Sequence, residues 1–175
     1  MVSACSGSQR DAPKVLAPVV SATSIPAPTA TPEPVPVAVP SEAAAATPQG
    51  AAAFVKFYYA QLNKSFNDGR DDRVRGLSQP SCGTCRILSD VIRDGRKSDR
   101  RILGVSFGVT SVEAAEEERG VVLVSVLGVI PGRRLMDHGS IKSLPAAGRF
   151  EHTVALRRAS GSWLVSSIKY EVSPQ

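Results

Sequence analysis

Thr47-Pro48-Gln49-Gly50-Ala51-Ala52-Ala53-Phe54-Val55-Lys56-Phe57-Tyr58-Tyr59-Ala60-Gln61-Leu62-Asn63-Lys64-Ser65-Phe66-Asn67-Asp68-Gly69 is the stretch from which the rest of the chain is read. Thr47 followed by Pro48 is an N-cap and a first-turn proline, and Asn67-Asp68-Gly69 is a helix stop. Between them, positions 54, 58, 62 and 66 share one face, with 55 and 59 beside it, which is the helical period. Lys56, Asn63 and Lys64 are expected to point away. The spacing therefore predicts a core helix with an aromatic stripe, and a stripe of that width needs a sheet to cover it.

The chain downstream supplies one. Asp71 to Leu77 reads as a short polar helix, broken by Ser78-Gln79-Pro80-Ser81. A third helix is expected from Cys82 to Arg93, capped by Ser81, with Cys85, Leu88, Val91 and Ile92 inward and Gly95 as its stop. From Arg101 the period becomes two. Leu103, Val105, Phe107 and Val109 alternate with small or polar residues. Gly120 to Ile130 is apolar on both faces, which marks a central strand or a surface that pairs with a second copy. Phe150 to Arg158 alternates again, and a Ser160-Gly161 turn leads to a last strand with Leu164, Ile168, Tyr170 and Val172 on one face. The Gly/Pro-rich segment 131–149 reads as a loop holding His138. The predicted fold class is α+β: two to three N-terminal helices packed on a curved four-stranded antiparallel sheet.

Upstream the composition changes. Nine of the 13 prolines lie between Pro13 and Pro48, and no aromatic residue precedes Phe54. Such a segment buries too little apolar surface to offset its ordering entropy. Residues 6–49 read as a disordered tether, at ~3.1 Å per residue reaching on the order of 130 Å if fully extended, and residues 50–175 as one domain. With 21% charged residues, a net charge of +5 and three cysteines, the chain is neither a highly charged disordered protein nor a disulfide-dense miniprotein. It has no run of ~20 apolar residues that would span a membrane.

Val2-Ser3-Ala4-Cys5 resembles a bacterial lipobox, with Cys5 as the acyl acceptor. Residues 1–5 would then be the remnant of a lipoprotein leader. The charged and apolar regions of a leader do not appear before it, so the expectation is a start placed too late. Acyl chains on Cys5, at ~0.8 kcal/mol per buried CH₂, would make anchoring effectively permanent. The expected address is the extracytoplasmic face of the cell membrane.

Three constellations could carry chemistry. Cys82-Gly83-Thr84-Cys85 at a helix start is read first as a structural disulfide of an oxidising compartment. A redox pair is the alternative, with Cys82 attacking and Cys85 resolving. Against that alternative, the motif follows helices, not a strand within a βαβ unit. A zinc site needs about four ligands, and only His138 and His152 could add nitrogen, so no metal or cofactor is expected. His152, on an apolar strand face, is the one plausible base. With Phe54, Tyr58, Tyr59 and Phe107 it would line a cavity between the first helix and the sheet. Arg93, Arg96, Lys97, Arg100 and Arg101, with Arg133-Arg134 and Arg157-Arg158, suggest an anionic partner such as lipid headgroups or an envelope polymer. Aromatic residues are not interleaved with these charges, which argues against nucleic acid.

Gly50-Ala-Ala-Ala-Phe-Val55, Tyr58-Tyr59, Leu62-Asn63, Leu77-Ser78, Cys82-x-x-Cys85 and Gly161-x-Trp163-x-Val165 resemble an uncharacterised domain family of actinobacterial lipoproteins. The order of elements is similar to the nuclear transport factor 2-like (cystatin-like α+β) superfamily. The resemblance spans residues 48–172. It implies a fold and an address, with no established activity, and folds of this class often form a homodimer through the open sheet face. The resulting expectation is a membrane-anchored extracytoplasmic lipoprotein that binds or scaffolds at the envelope. A thiol–disulfide oxidoreductase, or a small-molecule isomerase or hydrolase of the same superfamily, stands as the alternative.

Overall fold

The computed structural model describes residues 37–171. Cys5, the expected leader remnant, tether residues 6–36 and Val172 lie outside the described residues.

The first long helix forms as its sequence dictates. Helix α1 covers Ser41–Ala44 and α2 covers Pro48–Asp68. The Thr47 hydroxyl accepts from the Gly50 amide at 3.0 Å, and Gly69, in the left-handed region at φ 71°, donates its amide to the Ser65 carbonyl at 2.9 Å. A cap of the first kind contributes about 1 kcal/mol. Phe54, Val55, Tyr58, Tyr59 and Leu62 are fully buried along one face. Two further helices follow, α3 (Asp72–Gly76) and α4 (Gly83–Lys97).

The aromatic face of α2 packs on an antiparallel sheet in the order β2-β3-β6-β7. Its strands are β2 (Gly108–Ala114), β3 (Val122–Ile130), β6 (Gly148–Ala159) and β7 (Ser162–Glu171). A second antiparallel sheet is ordered β1-β4-β5, from β1 (Arg100–Leu103), β4 (Arg133–Asp137) and β5 (Ser140–Leu144). The two sheets share one long hairpin. β3 runs into β4 through Pro131-Gly132, and β5 into β6 through Pro145-Ala146-Ala147. The prolines lack the amide a continuous ladder would need, so the ribbon bends there. The Ala147 amide still reaches the Ile130 carbonyl at 3.0 Å across the bend. The α+β class and the four-stranded meander are as expected from the sequence.

Several expectations are corrected. The strand expected across 101–110 is two strands in different sheets, divided at Gly104 (φ 97°). The expected loop 131–149 is the β4–β5 hairpin, turned by His138 and Gly139, both at positive φ, the backbone of a two-residue type I′ turn. Gly95 does not stop α4. The helix runs on to Lys97, and a Cβ at Gly95 would come within 2.8 Å of the Arg100 carbonyl. Glycine there allows a close return of the chain. The cap of α4 is Cys82, not Ser81: the Cys82 sulfur accepts from the Cys85 amide at 3.3 Å. Val91 is exposed, and Ser89 takes its place inside. In β7, Leu156 pairs with Val165 but Ala155 pairs with Ser167, so Ser166 is an extra residue whose hydroxyl donates to the Ala155 carbonyl. That bulge brings Trp163 and Val165 onto the core face with Ile168.

The tether boundary at residue 49 also moves. Ala43 is buried, Val37 and Val39 pack against the core, and the Ala45 carbonyl accepts from the Trp163 indole at 2.8 Å. A few apolar side chains suffice because they dock on a fully formed sheet edge; regional composition averages them away. Arg158 covers the same place, its guanidinium 4.9 Å from the Trp163 ring.

Asn63 and Asn67, one turn apart on α2, hold the break between the two sheets. The Asn63 side-chain carbonyl accepts from the amides of Ser106 (3.0 Å) and Phe107 (2.9 Å), and its NH₂ donates to the Phe107 carbonyl at 3.0 Å. Asn67 both donates to and accepts from the Gly104 backbone at 2.8 Å. Asn63, expected to face solvent, is therefore a substitute strand partner for residues that have left the ladder. Its loss would strand two amides and a carbonyl. Asn63→Ala is expected to cost about 2–3 kcal/mol in urea unfolding, whereas exposed Lys64→Ala stays within about 0.5 kcal/mol.

Candidate functional site

Of the residues expected to line a cavity, Phe54, Tyr58, Tyr59 and His152 are buried in the core, and Phe107 is half-buried against it. Phe54 and Tyr58 retain no exposed surface, and Tyr59 and His152 retain 2% and 4%. A side chain lining a water-filled cavity keeps accessible area, and of the five only Phe107 does. Tyr59 meets Phe107 edge-on at 5.8 Å and lies nearly parallel to Phe150 at 6.1 Å, while His152 contacts Phe150 at 4.5 Å and Tyr170 at 4.6 Å between ring centres. The Tyr59 hydroxyl and His152 Nδ1 are 2.5 Å apart. Burial pushes the Tyr59 hydroxyl far up and pushes His152 down to about 4, so a neutral imidazole and a protonated phenol share that bond. Among the described residues no carboxylate pairs with His152, and its hydrogen bond to Tyr59 is a polar tie across the core.

Cys82 and Cys85 stand at disulfide distance and are 1% and 2% exposed. An attacking thiolate needs access and an electropositive setting. Here the pair closes the first turn of α4 beneath the core, and Thr84 between them donates to the Ile168 carbonyl of β7 at 3.0 Å. His138 sits exposed in its turn, 3.9 Å from Asp137. Among the described residues no cluster of His, Cys, Asp and Glu could hold a metal ion.

Three of the basic residues near the end of α4 are engaged. Arg93 pairs with Asp90, Lys97 with Asp94 at 3.3 Å and Arg100 with Asp137 at 3.3 Å. Arg101 is only loosely held, 3.8 Å from Asp99. Arg96 has no carboxylate partner among the described residues; its stem lies over Gly69, where a Cβ would approach the Arg96 Cβ to 3.0 Å. Arg134 and Arg157 are exposed elsewhere.

Two adjoining clefts open on this side. One, of about 360 Å³, has an apolar floor of Phe66, Val91, Ile92, Ile102 and Leu135, rimmed by Asp94, Ser98, Arg100 and Arg101. The other, of about 310 Å³, is lined by Asp68, Arg70, Arg96, Asp99 and Arg101. Volumes of this size lie at the lower end of ligand pockets, ~300–1,000 Å³. Asp99 turns the chain from α4 into β1 at φ 47°, which costs a non-glycine residue of order 1 kcal/mol or more. The floor comes from α2, α4, β1 and β4, so no single stretch announces it. The clefts are therefore the candidate site. The apolar outer face of β3 is open too, with Leu123, Leu127 and Val129 at 50%, 44% and 38% exposure.

The chain matches no family model and no curated protein. Among solved structures it is similar to the intermembrane space region of the chloroplast protein ARC6, at a TM-score of 0.54 and 10% identity over 72% of this chain and 97% of that one. It is also similar to an NTF2-like protein of unknown function in nutrient uptake from Rhodospirillum rubrum, at 0.47 and 14% over 69% and 98%. A third is an NTF2-like protein with a cystatin-like fold from Novosphingobium aromaticivorans, at 0.43 and 9% over 66% and 77%. At these identities the likeness is one of fold alone.

The neutral buried histidine sets an acid limit. Its pKa of about 4 in the fold lies below the ~6.5 of an unfolded chain, so between those values the unfolded state binds a proton that the folded state refuses. The associated stability is complete above pH 6.5 and is lost as pH falls toward 4, by up to about 3 kcal/mol. Urea unfolding across that range should show the loss in the wild type and a clearly shallower slope in His152→Gln. Equal slopes would remove His152 as the cause.

Proposed function

We propose that this chain is an envelope lipoprotein, held at the outer face of the cell membrane by an acylated Cys5. Its α+β domain binds or scaffolds in the space beyond. The observation that carries the reading is the Cys82–Cys85 pair, buried and at bonding distance, because such a staple persists in oxidising compartments. It joins the Val2-Ser3-Ala4-Cys5 motif and the proline-rich stretch behind it, and Cys82-x-x-Cys85 is itself part of the pattern that resembles actinobacterial lipoproteins. Burial of Cys82 and His152 supports the binding reading over the oxidoreductase and the isomerase or hydrolase. The anionic partner narrows to whatever meets Arg96 and Arg101, since Arg93, Lys97 and Arg100 beside them have carboxylate partners.

The test is partition. With an upstream leader restored and the protein expressed in a bacterium that processes lipoproteins, the chain should fractionate with membranes, and Cys5→Ala should release it. Thiol labelling of the unfolded, unreduced protein should find Cys82 and Cys85 blocked. Membrane partition unchanged by Cys5→Ala would overturn the anchor.

The outer face of β3 favours a second element of the proposal, pairing of two copies through Leu123, Leu127 and Val129. Sedimentation should show concentration-dependent association, reduced at least about tenfold by Leu127→Lys, since a charge in that seam would lose its hydration. A monomer at all concentrations would exclude the pairing.

A further inference from the structure

The two adjoining clefts join an apolar floor to unspent guanidinium donors, and we propose that together they bind a single-chain anionic amphiphile. Its hydrocarbon would lie on Phe66, Val91, Ile92, Ile102 and Leu135, and its carboxylate or phosphate would meet Arg96 and Arg101. The inference deepens the proposed binding role by naming a ligand class and rests on that reading of the domain.

Arg101 is the hinge between the two halves, because it lines both clefts. Its nearest carboxylate, Asp99, stands at 3.8 Å, beyond hydrogen-bond length, and its other side-chain contact is the Met136 sulfur at 3.8 Å. Most of its five donors remain free for a planar or tetrahedral oxyanion. Arg96 has no acidic partner among the described residues, and its stem is seated on Gly69. The remaining charges at the clefts are already matched. Asp68 pairs with Arg73 at 2.5 Å, Asp94 with Lys97 at 3.3 Å, Arg70 with Asp72 at 2.7 Å and Arg100 with Asp137 at 3.3 Å. Of the three arginines that line the second cleft, Arg96 and Arg101 are the two left over. Gly95 lets the Arg100 carbonyl pass close to α4, and the tight turn through Asp99 delivers Arg101 beside the apolar floor. An inorganic anion would use only the guanidinium end, and a neutral oil only the floor. A molecule with both uses the whole surface. At about 360 Å³ the apolar part suits a medium-length chain, not a two-tailed lipid.

The test uses the full 175-residue chain, oxidised and unacylated, titrated below micellar concentrations with decanoate, decyl phosphate and decanol. Calorimetry gives the affinities, and amide shifts locate the site. The expected result is one molecule per chain, with shifts at Gly95, Ile102 and Leu135. At least one of the anions should bind about tenfold or more tighter than decanol, the size of a charge-assisted hydrogen bond. Arg101→Gln and Arg96→Gln should each erase most of that preference and leave decanol unchanged. Val91→Asp, at the exposed edge of the apolar floor, should weaken all three. Tighter binding of decanoate would point to a free fatty acid, and of decyl phosphate to a phosphate-headed lipid; either supports the proposal. Equal affinity for decanol and both anions, shifts confined to another surface, or no binding by any of the three would overturn it. None of these outcomes depends on Cys5, so the anchor and the ligand site stand or fall separately.

Discussion

The aromatic face of α2, from Phe54 to Phe66, can be dry only if a sheet wraps it along more than three helical turns, and a flat ladder cannot do so. The chain solves this by bending a long hairpin at Pro131-Gly132 and Pro145–Ala147 and by breaking the first β segment at Gly104. Every bend strands backbone groups that water no longer reaches. Asn63 and Asn67 answer that cost from the helix side, binding the backbone of Gly104, Ser106 and Phe107. The same helix that demands the curvature therefore supplies the partners that make it tolerable.

The centre of the domain is committed to holding itself together. Tyr59 and His152 satisfy each other across the core, Cys82 and Cys85 are sealed under α4, and Trp163 is held by the Ala45 carbonyl and covered by Arg158. Groups that would ordinarily suggest chemistry are spent on structure. What remains free lies at the margin, where the end of α4, β1 and β4 meet without filling the space between them. There an apolar floor and two loosely engaged arginines coexist, and a surface with both properties discriminates among ligands in a way that neither does alone.

The helix caps, the aromatic stripe and the period-two strands were readable because each is a local matter. A cap needs residues three apart, a stripe needs a 3.6 period and a strand face needs alternation. The polar partners were not readable. Asn63 looked like a solvated helix residue because its partners lie about 43 positions away. The β4–β5 hairpin was hidden by the Gly/Pro content of 131–149, which marks bends and turns equally well. The core face of β7 is not legible from alternation because one extra residue, Ser166, reverses it.

By itself the sequence determined the class of fold, the bounds of α2, the succession of antiparallel strands and the pairing chemistry open to Cys82 and Cys85, since all of these depend on neighbours in the chain. Only the tertiary structure decided that Tyr59 and His152 are buried against each other in the core. It also decided that the docked segment begins before residue 50, and that Arg96 and Arg101 are the cations left beside an apolar cleft. Those outcomes turn on which distant surfaces meet and how completely they exclude water. That is a property of packing in three dimensions, which residue spacing along the chain does not encode.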